Sequence, residues 1–492
     1  MKILKSILLL LVTLSTAYGQ VPDKNSIDQI ITLSQSESHL RFLASDELRG
    51  RDTGSPEINI AARYIAESFR KSGLKPLPGA DGFFQHMNLI QSYPPADGRL
   101  TLGDTSFQQG KELLVMRGAG VDLNTEIIFA NYGLAEDLKG LNLKGKILVV
   151  KAGSESERDP RQFLGLIKTK QELAKDKGAV AVVELYNSPN IPWPMLINFF
   201  NKPQLIIDEG GKDELPYLWL QDAKNEQLVG FKEKKIKKAS LVISDLVKKP
   251  LPSKNVLGMV EGTDAKLKNE YLLLSAHYDH VGVAQSNNPN DSIFNGARDN
   301  AVGTVAVLNA ASVLGKNPPR RSVIFAAWTA EEKGLLGSAY YADHPLIPLN
   351  QTIYNLNIDG AGYNDTTLIT VIGLQRTSAE EHIIEAARQY GLTATSDPAP
   401  EQGLFDRSDN VNFARKGIPA PTYSTGFTAF DQEIMKYYHQ VADEPDGLNF
   451  NYLLKYFRSY ALTATKIAND ENRPFWTSGD KYEEAGKKLY HQ

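Results

Sequence analysis

From Lys254 onward the sequence alternates short apolar runs with helix-forming segments, and this alternation constrains the fold more than any other feature. YLLLSAH and SVIFAAW read as buried strands, and AVGTVAVLNAASVLG and GLLGSAYYADH read as helices. TIYNLNIDG, TLITVIG, a helix around SAEEHIIEAARQYG, APTYSTG and a final helix NYLLKYFRSYALTATKIAND continue the pattern. The expected fold class is therefore α/β: a mixed, largely parallel sheet sandwiched by helices.

Upstream the texture differs. HLRFLASDELRGR and INIAARYIAESFRKSG have helical spacing, with Gly73 as a stop. Between about Gly110 and Val247, short β-like runs (ELLVMRG, TEIIFANYG, KGKILVVKAG, AVAVVEL) surround one helical segment, RQFLGLIKTKQELAKDKG. This stretch reads as a β-rich module inserted at 110–248 into a domain formed by 20–109 and 249–492. The first residues carry Lys2 and Lys5, an apolar stretch and then small residues, the layout of a secretory signal peptide over 1–19 with cleavage near Gly19. A bilayer span needs about 20 apolar residues, more than this stretch offers. The chain is expected to be exported, to the periplasm or the medium, with no membrane span after cleavage. It has no cysteine, so disulfides contribute nothing and the core must carry the stability.

Five stations carry residues suited to catalysis, and all but the last follow strand-like segments, where ligands collect in open α/β sheets. SAHYDHVG holds His277, Asp279 and His280; NGARDNAVG holds Asp299; TAEEKGLLGS holds Glu331 and Glu332; NLNIDG holds Asp359; KYYHQVADEPDGL holds His439 and Asp443. Each has an ordinary explanation alone. Asp299 suits a helix N-cap, the glutamates suit a first helical turn, and Asp359 with its glycine suits a turn. Together they assemble histidines and several carboxylates in one α/β half. Nitrogen and oxygen donors without thiolate suit Zn²⁺ and do not exclude Mn²⁺ or Co²⁺.

In this order, SAHYDH, GARDNAVG, TAEEKGLLGS, NLNIDG and YYHQVADEPD resemble the secreted co-catalytic di-zinc aminopeptidases, the bacterial leucyl aminopeptidase-like family whose wider clan includes glutamate carboxypeptidase II. ASDELRGRDTGSPEINIAARYIAESF is similar to that family's leading segment, and GLNLKGKILVVKAG with KTKQELAKDKGAVAVVEL resembles the protease-associated domain. The resemblance implies two Zn²⁺ per chain, with Asp299 bridging them. His277 and Asp359 would complete the ligands of one ion, Glu332 and His439 those of the other. Glu331 would be the general base and Asp279 the partner of the His277 ring. Ser408 and Asp409, in GLFDRSDNVNFARKGIPA, match the family's loop near the substrate pocket; Asp409 either touches substrate or orders that loop. Arg298 stands where many members carry an acidic or amide residue.

The activity so implied is an aminopeptidase acting on peptides with a free N-terminus. Other readings are a carboxypeptidase, dipeptidase or glutaminyl cyclase on the same fold, or a receptor-like relative without catalysis. The complete ligand set speaks against the last two. With 54 basic and 58 acidic residues the chain has no field that would favour nucleic acid.

Overall fold

The computed structural model describes residues 23–156, 160–208, 215–284, 286, 288, 290–360 and 362–491. The expected signal peptide lies outside the described residues. The chain divides into two compact units, Met1–Met87 with Ser253–Gln492, and Asn88–Pro252.

The larger unit is built on eight strands: β1 (Phe84–Met87), β2 (Ser253–Val260), β3 (Tyr271–His277), β4 (Ser322–Trp328), β5 (Thr352–Ile358), β6 (Leu368–Ile372), β7 (Thr393–Ser396) and β8 (Thr422–Thr425). They lie in the order β1-β2-β4-β3-β5-β8-β6-β7. The run β4-β3-β5-β8 is parallel, as is β6-β7; β1-β2, β2-β4 and β8-β6 are antiparallel. The sheet is thus mixed with a parallel centre.

Side chains alternate across its faces, as the pleat requires. On β4, Val323, Phe325 and Ala327 join one apolar cluster, while Ile324, Ala326 and Trp328 join the other. On β3, Leu272, Leu274 and Ala276 join the first and Leu273 the second. Helices Pro56–Lys71, Val302–Lys316 and Phe450–Asn469 cover the first face. The helix Pro56–Lys71 forms because Ser55 Oγ accepts the Ile58 amide, Pro56 pre-sets the first turn, and Ile58, Ala61, Ala62, Ile65 and Phe69 make one buried stripe. Because β3, β4 and β5 run parallel, their carboxyl ends open at one edge of the sheet, and the segments that follow them meet there.

The smaller unit begins at Asn88, upstream of the expected boundary near residue 110. The cause is strand pairing. Gly98–Leu102 pairs with Lys238–Ile243, and Leu89–Ser92 lies between Gln204–Ile207 and Lys248–Pro250. These strands are short and polar on one side, so their texture does not stand out from loop. Its parallel centre is Val121–Phe129, Ile147–Lys151, Ala181–Tyr186 and Tyr217–Gln221. A fully buried ion pair, Lys170 with Glu184, sits in its core, and Glu184 also accepts from Tyr217 Oη at 2.9 Å and Trp219 Nε1 at 2.5 Å.

Candidate metal centre

His277 closes β3. Its Nδ1 bonds the main-chain oxygen of Asp279 at 3.1 Å. A carbonyl only accepts, so Nδ1 carries a hydrogen and Nε2 is the atom available to a cation. That Nε2 is buried and has no hydrogen-bond partner. Asp299 Oδ1 lies 3.2 Å from it, Asp359 Oδ1 3.4 Å and Glu331 Oε2 4.0 Å.

Asp299 lies in the tight turn Ala297–Ala301 that precedes the helix Val302–Lys316, and its backbone (φ −116°, ψ 91°) is not helical. The N-cap explanation fails here because Asn300 does that work: its Oδ1 accepts the Gly303 amide at 3.0 Å. The Asp299 carboxylate is left free to face two histidines. Its Oδ1 approaches His277 Nε2, and its Oδ2 lies 3.2 Å from His439 Nε2.

Glu331 and Glu332 are not in a first helical turn either. They follow β4 in a turn, and the helix Leu336–Asp343 starts only afterwards. Ala330 enters this turn with φ +56° and Leu335 leaves it at +60°, left-handed conformations that cost side-chain-bearing residues about 1–2 kcal/mol each. Main-chain bonds from Gly337 N to Thr329 O and from Leu336 N to Ala330 O hold the turn in place, both at 3.0 Å. Glu332 points its Oε1 at His280 Nδ1 (2.7 Å) and its Oε2 at His439 Nε2 (3.2 Å).

Asp279 departs from the role expected of it. Its carboxylate stands 3.8 Å from His277 Nδ1 and is engaged elsewhere. Oδ1 accepts the Glu331 amide at 3.1 Å, and Oδ2 accepts the Glu332 amide at 3.3 Å and Thr53 Oγ1 at 3.2 Å. The main-chain carbonyl of Asp279 orients the ring, and its side chain fixes the glutamate turn.

Burial and crowding set the protonation of this cluster. Burial disfavours charge on every member, but the carboxylates of Glu331, Asp299 and Asp359 outweigh it at His277 and hold its pKa well above the usual imidazole value. His439 is likewise raised, to about 10, by Asp299 and Glu332 against the effect of burial. The two adjacent glutamates diverge. Burial, with Asp359, Glu332 and Asp409 nearby, raises Glu331 well above the usual carboxylate range; contacts to His280 and His439 pull Glu332 below it despite burial and Asp299. Neighbours pushed apart in this way are the environment in which one group holds charge and the other exchanges a proton.

Among the described residues, two sets of side chains bring donor atoms within 4.8 Å of one another: His277, Glu331 and Asp359, and His280, Asp299 and Glu332. Imidazole nitrogen with carboxylate oxygen is a donor set for Zn²⁺, and an orphaned buried Nε2 facing carboxylates fits a cation.

Residues 255–464, which span this centre, match the model of Peptidase family M28. This part of the chain is similar to that peptidase family. The chain is a hydrolase of the metallo-exopeptidase kind, as the ordered motifs imply. The aminopeptidase YwaD of Bacillus subtilis (strain 168) is 25% identical over 440 residues, covering 85% of this chain and 84% of the relative. The aminopeptidase NAALADL1 of Rattus norvegicus is 34% identical over 123 residues, 24% of this chain but 15% of the relative. Among solved structures, the aminopeptidase from Aneurinibacillus sp. strain AM-1 is similar in fold, with a TM-score of 0.56 at 21% identity, over 92% of this chain and 97% of that one.

Beside Asp359 the chain has an open pocket lined by Ile372, Leu404, Phe427, Phe430, Ile434 and, among polar groups, Ser408. Ser408 Oγ accepts from Asn357 Nδ2 at 2.9 Å. Asp409 is fully buried and accepts from Ser338 Oγ. Three contributors had no assigned role in the sequence. His280 holds Glu332; Thr53 holds Asp279; and Arg51, buried, donates to the main-chain oxygens of Tyr278, Leu43, Asn295 and Gly296 on both sides of the centre. Arg51 lies more than 200 residues from Tyr278 and Gly296 in sequence, so no local pattern marks it.

Proposed function

We propose that the chain is an exported aminopeptidase that hydrolyses the N-terminal peptide bond of peptides at a centre of two Zn²⁺ ions. The observation that carries the ion count is the Asp299 carboxylate, whose two oxygens each stand 3.2 Å from a different histidine. His277, Asp299 and Asp359 would hold one ion; Asp299, Glu332 and His439 the other. When bound, the ions supply Lewis-acid activation of water and of the scissile carbonyl and anchor the substrate's free amine.

The remaining chemistry belongs to the chain. Glu331 stands farther from His277 Nε2 than Asp299 and Asp359 do, and its side chain is 10% exposed. It is placed to take the proton of the attacking water and return it to the leaving amine, a transfer typically worth about 10²–10⁴ in rate. Asp279 keeps the Glu331–Glu332 turn in register. The cavity beside Asp359 would receive the first side chain of the peptide, and its aliphatic and aromatic walls favour an apolar one. Export rests on the leader at 1–19, and among the described residues no helix is long and apolar enough to cross a membrane. The β-rich unit Asn88–Pro252 is proposed to be a protease-associated domain.

The test is a substrate profile across free-amine, N-acetylated and N-terminal-glutamine peptides. The expected result is stepwise release of N-terminal residues from free-amine peptides alone. Cleavage of acetylated peptides from the carboxyl end, or cyclisation without hydrolysis, would replace the aminopeptidase reading with one of its alternatives.

A further inference from the structure

His439 is the odd member of the proposed ligand set. His277, Glu332 and Asp359 sit at or directly after strands of the central sheet, and Asp299 sits in the turn that starts a long helix. His439 instead lies in the irregular stretch between Gln432–Met435 and the turn Pro445–Gly447, has φ +52°, and its side chain is 37% exposed. Tyr438 stacks on its ring (centroids 4.2 Å apart). Neither strand nor helix fixes its position.

Arg298 does so from both sides. Its guanidinium carbon lies 3.6 Å from the centre of the Tyr437 ring, two residues before His439. Its Nη1 pairs with Asp443 Oδ1 at 3.0 Å, and its Nη2 donates to Gly447 O at 3.0 Å, both after His439. The same Asp443 carboxylate accepts the Arg298 and Asp299 amides at 3.0–3.1 Å, and the Asp443 oxygen accepts the Ala297 amide at 3.0 Å. One buried pair therefore ties the loop of His439 to the turn of Asp299. The planar, forked guanidinium suits this task, since it stacks on one neighbour while bonding two others.

We propose that Arg298, with Asp443 and Tyr437, is a positioning residue that holds His439 against Asp299 and so sets the affinity of the second metal site more than that of the first. The inference rests on the two-ion reading. It also accounts for the arginine that stands out against the resembling family: its charge is neutralised by Asp443 and does not reach the cleft as free charge.

The experiment is a zinc titration of the metal-free full chain against a chromophoric chelator, with bound zinc counted by plasma mass spectrometry. Wild type is expected to take up two equivalents. Arg298→Gln should weaken the second equivalent about 10–100-fold, the usual cost of removing a group that orients a ligand, and the first by much less. Arg298→Lys, which retains charge but not the fork, should fall between. Tyr437→Leu leaves the ion pair intact and should weaken the second equivalent by less; it decides the matter if Arg298→Gln does not fold. Equal weakening of both equivalents, or no change in either, overturns the inference. A wild-type chain that binds one equivalent overturns the two-ion reading itself, and the inference with it.

Discussion

Replacing Asp279 with asparagine separates two ways in which that residue could serve the centre. The substitution keeps one oxygen, able to accept from the Glu331 amide, and turns the other into an amide donor facing the Glu332 amide. Burial raises the Asp279 pKa from 3.8 to about 6, an effect that already includes the pull of the Glu331 amide. The folded chain thus favours the protonated acid, and ionisation costs about 3 kcal/mol at about 1.4 kcal/mol per unit, a cost absent below pH ~4 and complete above pH ~6. Asparagine removes that cost. At pH 4 the wild-type acid is as neutral as asparagine, so in the metal-free chain Asp279→Asn should unfold within about 1–2 kcal/mol of wild type there and be more stable than wild type at pH 7.5, by up to that ionisation cost. Activity should not be spared. The turn that carries Glu331 loses an anchor, and a displacement of about 1 Å at a proton-transfer group costs on the order of 10² in kcat. Zinc content should stay unchanged, because the main-chain oxygen of Asp279 orients His277. Denaturant titration at the two pH values, zinc counting and kcat on a leucyl chromogenic substrate give the answer. A variant that loses zinc about 10–100-fold more readily, yet turns over normally when loaded, would refute the reasoning and return Asp279 to the His277 ring.

Two further outcomes follow from groups elsewhere in the larger unit. Burial, then the charge of Lys71, pushes the His39 pKa down from 6.5 to about 4, and its Nδ1 meets Tyr64 Oη at 2.9 Å. The stability it contributes is complete above pH 6.5 and is lost as pH falls through 4, because the unfolded chain takes the proton first; His39→Gln should flatten that part of a denaturation profile measured between pH 7.5 and 4.5. In the cavity beside Asp359, Leu404→Trp should narrow the space for the first side chain of the substrate. It should lower kcat/KM for leucyl peptides by about 10–200-fold while alanyl peptides change little.

The features readable from the sequence are those in which local pattern and tertiary role coincide. The unbroken apolar runs Tyr271–His277 and Ser322–Trp328 mark a sheet buried on both faces, and they also put His277 and the glutamate turn at strand ends. Asp359 follows its strand in the same way. What escapes is set by contacts between distant segments. Nothing near Asp279 says that its carboxylate will meet amides 52 and 53 residues later. Arg298 and Asp443 are 145 residues apart, and their pairing is visible only when the turn and the loop are folded against each other. The edge of the smaller unit is missed because its first strands are recognised by their partners, not by their own composition. The helix-start reading of Glu331 and Glu332 fails because Ala330 adopts a left-handed conformation that composition does not announce.

The central claim is a division of labour between two adjacent carboxylates, with Glu332 holding a cation and Glu331 moving a proton. Glu331→Gln, purified with its metal, tests it most directly when zinc per chain and kcat are measured on the same sample. The account predicts two zinc ions per chain, as in wild type, with kcat lower by about 10²–10⁴. Loss of an ion from Glu331→Gln, or turnover close to wild type with both ions in place, would contradict it.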